Sequence, residues 1–100
     1  MKLKDFESKV MDIGIPELRI VGFMMQGGHV TRCVARSTTF VVVWLWSGRA
    51  YVNYPDAETL ALGDDELADK YERIQEMDIT TGAEADGVDW WREYRYDIQR

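Results

Sequence analysis

Hydrophobic and polar residues alternate through residues 18–54, and three short turn signals interrupt this alternation. The signals fall at Gly27-Gly28, Ser37-Thr38 and Ser47-Gly48. A period of two is typical of strands that bury one face. Adjacent glycines readily adopt the positive φ that a two-residue hairpin turn requires. The pattern therefore predicts a four-stranded antiparallel meander.

The three turns together predict one register, which sorts the side chains onto two faces. The predicted pairs next to the turns are Gln26 with His29, Val34 with Val41, and Leu45 with Ala50. The aliphatic face collects Val21, Phe23, Met25, Val30, Val34, Val41, Val43, Leu45, Ala50, Val52 and Tyr54. The aromatic face collects Met24, Gln26, His29, Thr31, Cys33, Val42, Trp44, Trp46, Arg49, Tyr51 and Asn53. Arg32 is the exception on the aliphatic face, and we expect it to reach solvent unless the second turn is one residue longer.

Helical spacing of apolar residues predicts one helix on each side of the meander. Over residues 2–13 the apolar stripe is Leu3, Phe6, Val10 and Ile13, and Gly14 and Pro16 end the helix. The second helix begins at Asp64 as its N-cap, with an apolar stripe of Leu67, Tyr71, Ile74 and Met77. Its predicted i,i+4 ion pairs are Glu66–Lys70 and Asp69–Arg73.

The remaining segments give weaker signals. After Pro55, Asp56 is expected to cap a short turn that ends at Leu62. Residues 80–89 resemble a loop, and residues 90–98 are rich in aromatic side chains. Residues 90–98 fit a strand or a helix, and the aromatic enrichment favours a strand.

These elements predict a single compact α+β domain over residues 1–100. Its parts are an N-terminal helix, a four-stranded antiparallel meander, an acidic helix and a C-terminal aromatic segment. The two helices are expected to cover the aliphatic face, because an apolar sheet face needs a packed layer. The sequence leaves three alternatives for what covers the aromatic face: the C-terminal segment, a second copy of the chain, or an external partner.

Composition is typical of an ordinary folded protein, with 46% hydrophobic and 30% charged residues. The longest apolar run, residues 40–46, is too short to cross a bilayer, and the first residues are too polar for a signal peptide. Cys33 is the only cysteine, so no disulfide forms within the chain. These features predict a cytoplasmic protein that does not contact the membrane.

Charge is distributed unevenly along the chain. The net charge is −6, with +3 on residues 1–50 and −9 on residues 51–100. An acidic half argues against binding to nucleic acid, whose phosphates need lysine and arginine. It favours a basic protein partner.

Two candidate binding surfaces follow from these patterns. The aromatic surface consists of Trp44, Trp46, Tyr51, Arg49, His29 and Met24. The acidic surface consists of Asp64, Asp65, Glu66, Asp69, Glu72 and Glu76. Aromatic and arginine side chains are frequent interface anchors, although a buried face is an equally ordinary role for the first set. The second set is equally consistent with a solvated helix face.

No motif predicts catalysis, a cofactor or a metal site. His29 and Cys33 share a strand face, but four residues of strand separate them by about 13 Å, too far for a nucleophile and its base. The Gly27-Gly28 pair lacks the pattern of a phosphate-binding loop. The carboxylates of Glu84, Asp86 and Asp89 have no predicted pocket. We therefore expect a protein that is not an enzyme.

The function that fits these observations is a small acidic binding protein that inhibits or neutralises a larger, basic, nucleic-acid-handling protein. Inhibitors carried by phages or plasmids and toxin-immunity proteins are of this type. One alternative is a homodimeric chaperone or adaptor, or a phage assembly protein, that uses the aromatic face. Another is a small-molecule binder with that face as a pocket wall.

Overall fold

The computed structural model describes residues 3–13, 17–47, 49–81 and 91–94. The side chains of residues 9–13, 78, 81 and 91–94 are outside this description. The elements are α1 (Leu3–Ile13), β1 (Arg19–Gln26), β2 (His29–Arg36), β3 (Val41–Leu45), β4 (Ala50–Asn53), α2 (Ala57–Leu60), α3 (Asp64–Glu72), α4 (Glu76–Thr81) and β5 (Trp91–Tyr94). The α+β class is as predicted.

The strands form one antiparallel sheet in the order β1-β2-β3-β4-β5. The predicted four-stranded meander is therefore extended by β5, which pairs with β4. This confirms a strand over residues 91–94. β5 is the last strand of the sheet and does not lie across one of its faces. The loop predicted over residues 80–89 is wrong for Thr80 and Thr81, which belong to α4. The rest of that loop, the rest of the aromatic segment, and the helix end at Gly14 and Pro16 lie outside the described residues.

Helices cover both faces of the sheet. On one face, α1 contributes to a cluster of Phe6, Leu18, Val30, Cys33, Ala35, Val42, Trp44, Ala50 and Val52. On the other, α3 and α4 contribute to a cluster of Val34, Val41, Val43, Leu45, Tyr51, Leu67, Tyr71, Ile74 and Ile79. The prediction that both helices cover the aliphatic face is wrong, because β2 and β3 carry apolar side chains on both faces and each face needs its own layer.

The β2–β3 turn is two residues longer than predicted. Arg36 pairs with Val41, and residues 37–40 form the turn. The Ser37 hydroxyl accepts hydrogen bonds from the backbone N–H groups of Thr39 (3.2 Å) and Phe40 (3.1 Å). A shift of two residues leaves each side chain of β3 on its predicted face.

The β3–β4 pairing differs from the prediction by one residue and reverses the faces of β4. The Leu45 N–H donates to the carbonyl of Arg49 (2.9 Å), so Trp44 pairs with Ala50 and Val43 with Tyr51. Three residues, rather than the predicted two, lie between the hydrogen-bonded residues Leu45 and Arg49. Tyr51 therefore lies on the α3 side of the sheet, whereas the side chain of Trp44 lies on the α1 side.

The first hairpin turn is as predicted, but two irregularities follow it in the β1–β2 ladder. Gly27 and Gly28 have φ of +59° and +81°. The register shifts between Met24 and Met25, where Thr31 of β2 is the additional residue, and again at Val21 of β1. Bulges of this kind change which face the following side chains occupy.

Arg32 is buried rather than directed to solvent, with 8% of its surface exposed. Its Nη1 donates to the carbonyls of Tyr71 (3.0 Å), Glu72 (3.3 Å) and Ile74 (2.5 Å) at the end of α3. The last carbonyls of a helix have no partner within the helix, and a cation there also interacts favourably with the helix dipole. The arginine that interrupts the apolar pattern is thus the C-terminal cap of α3.

The predicted acidic helix is divided into two. It ends at Glu72 and resumes at Glu76 as α4, so Met77 is 72% exposed and Ile79 is buried in its place. Gly63, not Asp64, occupies the N-cap of α3. The Asp56 prediction is confirmed, since its Oδ1 accepts from the Thr59 N–H (2.8 Å) at the start of α2. Within the described residues, no helix is long and apolar enough to span a membrane.

Candidate functional site

An exposed tryptophan lies at the end of the sheet where the β1–β2 turn and the β3–β4 connection meet. Trp46 directly follows β3 and is 66% exposed. It lines an open hollow of about 600 Å³ together with Gln26, His29, Thr31 and Glu76. We call this the Trp46 hollow. Its residues come from three distant parts of the sequence: the first hairpin, the end of β3 and the start of α4.

A second hollow of about 370 Å³ shares two of these side chains. Its lining residues are Leu45, Trp46, Ser47, Arg49, Tyr51, Glu76 and Thr80. Trp46 and Glu76 therefore belong to both concavities. An indole beside a carboxylate offers an apolar face and a negative charge, a combination suited to a cationic or amphipathic group.

The structure separates the residues of the predicted aromatic surface. Trp44 is fully buried and packs edge-on against Phe6 of α1, with ring centroids 6.2 Å apart. Its indole N–H has no hydrogen-bond partner among the described residues. Trp44 is therefore a core residue and does not contribute to an open surface.

The other members of that set remain near the surface, with one exception. His29 and Trp46 line the first hollow, and Arg49 lines the second. Met24 is exposed on β1, where its carbonyl accepts from the Thr31 hydroxyl (3.3 Å). Tyr51 is 5% exposed and packs in the core beneath α3 and α4, although it reaches the wall of the second hollow.

Asp64 of the predicted acidic surface has a structural role. Its Oδ1 is 2.8 Å from Arg19 Nη2 and 3.2 Å from Arg36 Nη1. Hydrogen bonds from Arg19, with added attraction from Arg36, hold the pKa of Asp64 below its usual range. Arg36 also donates to the carbonyls of Leu60 (2.6 Å) and Leu62 (2.8 Å). This arrangement fixes the start of α3 to β1 and β2.

The other acids of α3 differ in how far their charge is compensated. Asp69 pairs with Arg73 one turn later (2.8 Å), which confirms that i,i+4 prediction. Burial, reinforced by the charge of Asp69, raises the pKa of Glu72. Asp65 and Glu66 are exposed, and the ion pairs between described side chains include neither of them.

Glu76 connects the acidic surface to the Trp46 hollow. It is exposed at the first position of α4 and lines both hollows. Burial lowers the pKa of Arg32, and the charges of Glu76 and Glu72 oppose this effect. The hydrogen bond that Arg32 donates to the carbonyl of Ile74 holds the backbone two residues before Glu76.

The described residues include a buried cysteine and no cluster of metal-ligating side chains. Cys33 is buried, and burial, with a contribution from Glu7, raises the pKa of its thiol to about 12. Such a thiol is protonated at neutral pH and is not a ready nucleophile. No group of three histidine, cysteine or carboxylate side chains within the described part of the chain is arranged to hold a metal ion.

Sequence reasoning identified Trp46, His29 and Glu76 but assigned them to two separate surfaces. It missed Gln26, Thr31 and Thr80 as lining residues. No signal in the sequence could have found this association, because it depends on where α4 packs. No protein-family model, no curated protein and no solved structure matches this chain.

Proposed function

We propose that this chain is a non-catalytic binding protein that docks on the basic surface of a larger protein and blocks it. The observation that carries the proposal is the contrast between neighbouring acids on α3. Asp64 is held by two arginines, whereas Asp65 and Glu66 are exposed and form no ion pair with any described side chain. Exposed carboxylates without such neighbours can attract a partner's lysine and arginine side chains.

Both ends of α3, the helix that carries these charges, are held by arginine side chains. Its start is fixed by Arg19 and Arg36, and its end by Arg32. Nine helical residues span roughly 13 Å, and only residues 73–75 separate the end of α3 from Glu76, which lines the Trp46 hollow. Charged side chains together with an aromatic anchor are a common composition for a protein interface.

The class of partner follows from the sign of the charge. Proteins that handle nucleic acid have basic surfaces, which bind phosphates. An acidic protein can occupy such a surface, and its charge increases the association rate. An inhibitor of phage or plasmid origin, or an immunity protein that neutralises a toxin, would work in this way.

The test compares two variants with the same change in net charge. The first is Asp65→Asn with Glu66→Gln on α3. The control is Glu7→Gln with Glu17→Gln, two exposed acids that do not belong to α3. Tagged wild-type and variant proteins are used to capture partners from a bacterial lysate at low and moderate salt, and mass spectrometry identifies them.

We expect the wild type and the control to retain the same basic protein. The α3 variant should bind this protein about tenfold more weakly, since each exposed ion pair contributes up to about 1 kcal/mol. Its binding should also depend less on salt. If both variants retain the partner equally well, Asp65 and Glu66 have no part in the mechanism.

A second candidate function, a homodimeric adaptor, is favoured by the edge of the sheet. β1 is the first strand of the sheet order, and Phe23, Met24 and Met25 are exposed on it. Edge strands are usually protected by charges, and residues 20–26 contain none. Sedimentation equilibrium should then detect a dimer that Met24→Lys dissociates. A wild-type monomer throughout the micromolar range would eliminate this candidate.

A further inference from the structure

We infer that the Trp46 hollow receives one arginine side chain of the basic partner. This inference rests on the proposed function and adds the chemistry of its central contact. Among the described residues that line the hollow, Glu76 is the only charged one when His29 is neutral. A cation in the hollow is therefore attracted by this carboxylate, whereas an anionic group would be repelled by it.

The exposed indole supplies the second contact. A guanidinium group over the face of a tryptophan gains cation–π attraction, and its planar shape also stacks on the ring. With 66% of its surface exposed, Trp46 has indole surface available for such stacking. Arginine satisfies both requirements at once, because its fork of N–H donors can bind a carboxylate while its plane lies against the indole.

Polar atoms around the hollow can satisfy the remaining donors of the guanidinium group. Gln26 and Thr31 also line the hollow and carry an amide oxygen and a hydroxyl oxygen. Arg49 lines the second hollow, and the described lining of the first does not include it. The volume of about 600 Å³ accommodates a long side chain together with part of its backbone.

The probe is a short peptide with a single arginine between glycine and serine residues. The matched control peptide has citrulline at that position, which is isosteric with arginine but uncharged. A third peptide has lysine. Each is titrated into the full-length ¹⁵N-labelled protein, and the indole N–H resonance of Trp46 is followed, with Trp46→Phe used to assign it.

We expect the arginine peptide to shift the Trp46 resonance with millimolar affinity, the lysine peptide to bind more weakly, and the citrulline peptide to have no effect. Trp46→Leu and Glu76→Gln should each reduce the affinity about threefold. Because Trp46→Leu lacks the indole, its titration is followed by the backbone resonances of Gln26 and Thr31. The matched controls are Tyr54→Leu and Glu58→Gln, which remove an exposed aromatic ring and an exposed acid elsewhere. Neither should change the affinity.

Equal shifts with arginine and citrulline would overturn the inference and indicate a general ligand pocket. Shifts confined to α3 that Asp65→Asn with Glu66→Gln abolishes would also overturn it, yet would leave the proposed function intact. The opposite outcome is also distinguishable. If arginine binds in the hollow but partner capture does not depend on Asp65 and Glu66, only docking through these two acids is refuted.

Discussion

Replacing Arg32 by methionine should loosen the end of α3 and lower the stability of the whole domain. Methionine retains the apolar stem of the side chain but removes the guanidinium group that contacts three carbonyls. One Nη1 atom carries two protons, so the contacts amount to about two hydrogen bonds from a charged donor, each contributing about 1.5–3 kcal/mol. The variant avoids the cost of burying a charge, which offsets part of that loss.

The expected net loss is about 2–3 kcal/mol in the free energy of unfolding, a large share of the ~5–15 kcal/mol typical of a folded domain. Urea unfolding followed by circular dichroism measures it. Arg73→Met is the matched control, because Arg73 is exposed and its pair with Asp69 contributes less than about 0.5 kcal/mol. Equal losses in the two variants would show that Arg32 does not hold the helix end.

Three further predictions concern other contacts. Gly22→Ala should cost about 1–3 kcal/mol in urea unfolding, because the added Cβ would lie 2.6 Å from the Cβ of Ala68 on α3; an unchanged midpoint would mean that α3 moves away freely. Because the pKa of Asp64 is lowered in the folded protein, its ionised carboxylate stabilises the fold above the ordinary aspartate pKa, and this stabilisation is lost as pH falls through the folded-state pKa. The stability of Asp64→Asn should therefore depend less on acid pH than that of the wild type. Acid-unfolding curves of equal steepness for the two proteins would contradict this. Cys33, with a thiol pKa of about 12, should react with Ellman's reagent only after urea unfolding; rapid labelling of the native protein would contradict its burial.

The local elements were predictable because their signals lie in adjacent residues. The Gly27-Gly28 turn has the positive φ that two glycines favour, and Asp56 caps α2. The spacing of Leu67, Tyr71 and Ile74 correctly predicted the buried side of the α3 region. These patterns depend on short-range geometry, which the chain carries wherever the segment packs.

The assignment of side chains to faces was less predictable. One residue of difference in the β3–β4 connection moved Tyr51 to the face opposite Trp44, because side chains alternate along a strand. The additional residue at Thr31 placed Val30 on the α1 side. The Ser47-Gly48 signal indicates where the turn after Leu45 falls but not how many residues it contains, so its length could not be predicted from sequence.

The sequence by itself determined the α+β class, the hairpins, the helical segments and the acidic character of the second half. Only the tertiary structure decided which helix covers which face, that Arg32 caps α3, and that Glu76, His29 and Trp46 line one hollow. The physical reason is that periodicity specifies how each segment folds. Contacts between segments depend on packing of the whole sheet, which a change of one residue in register alters throughout.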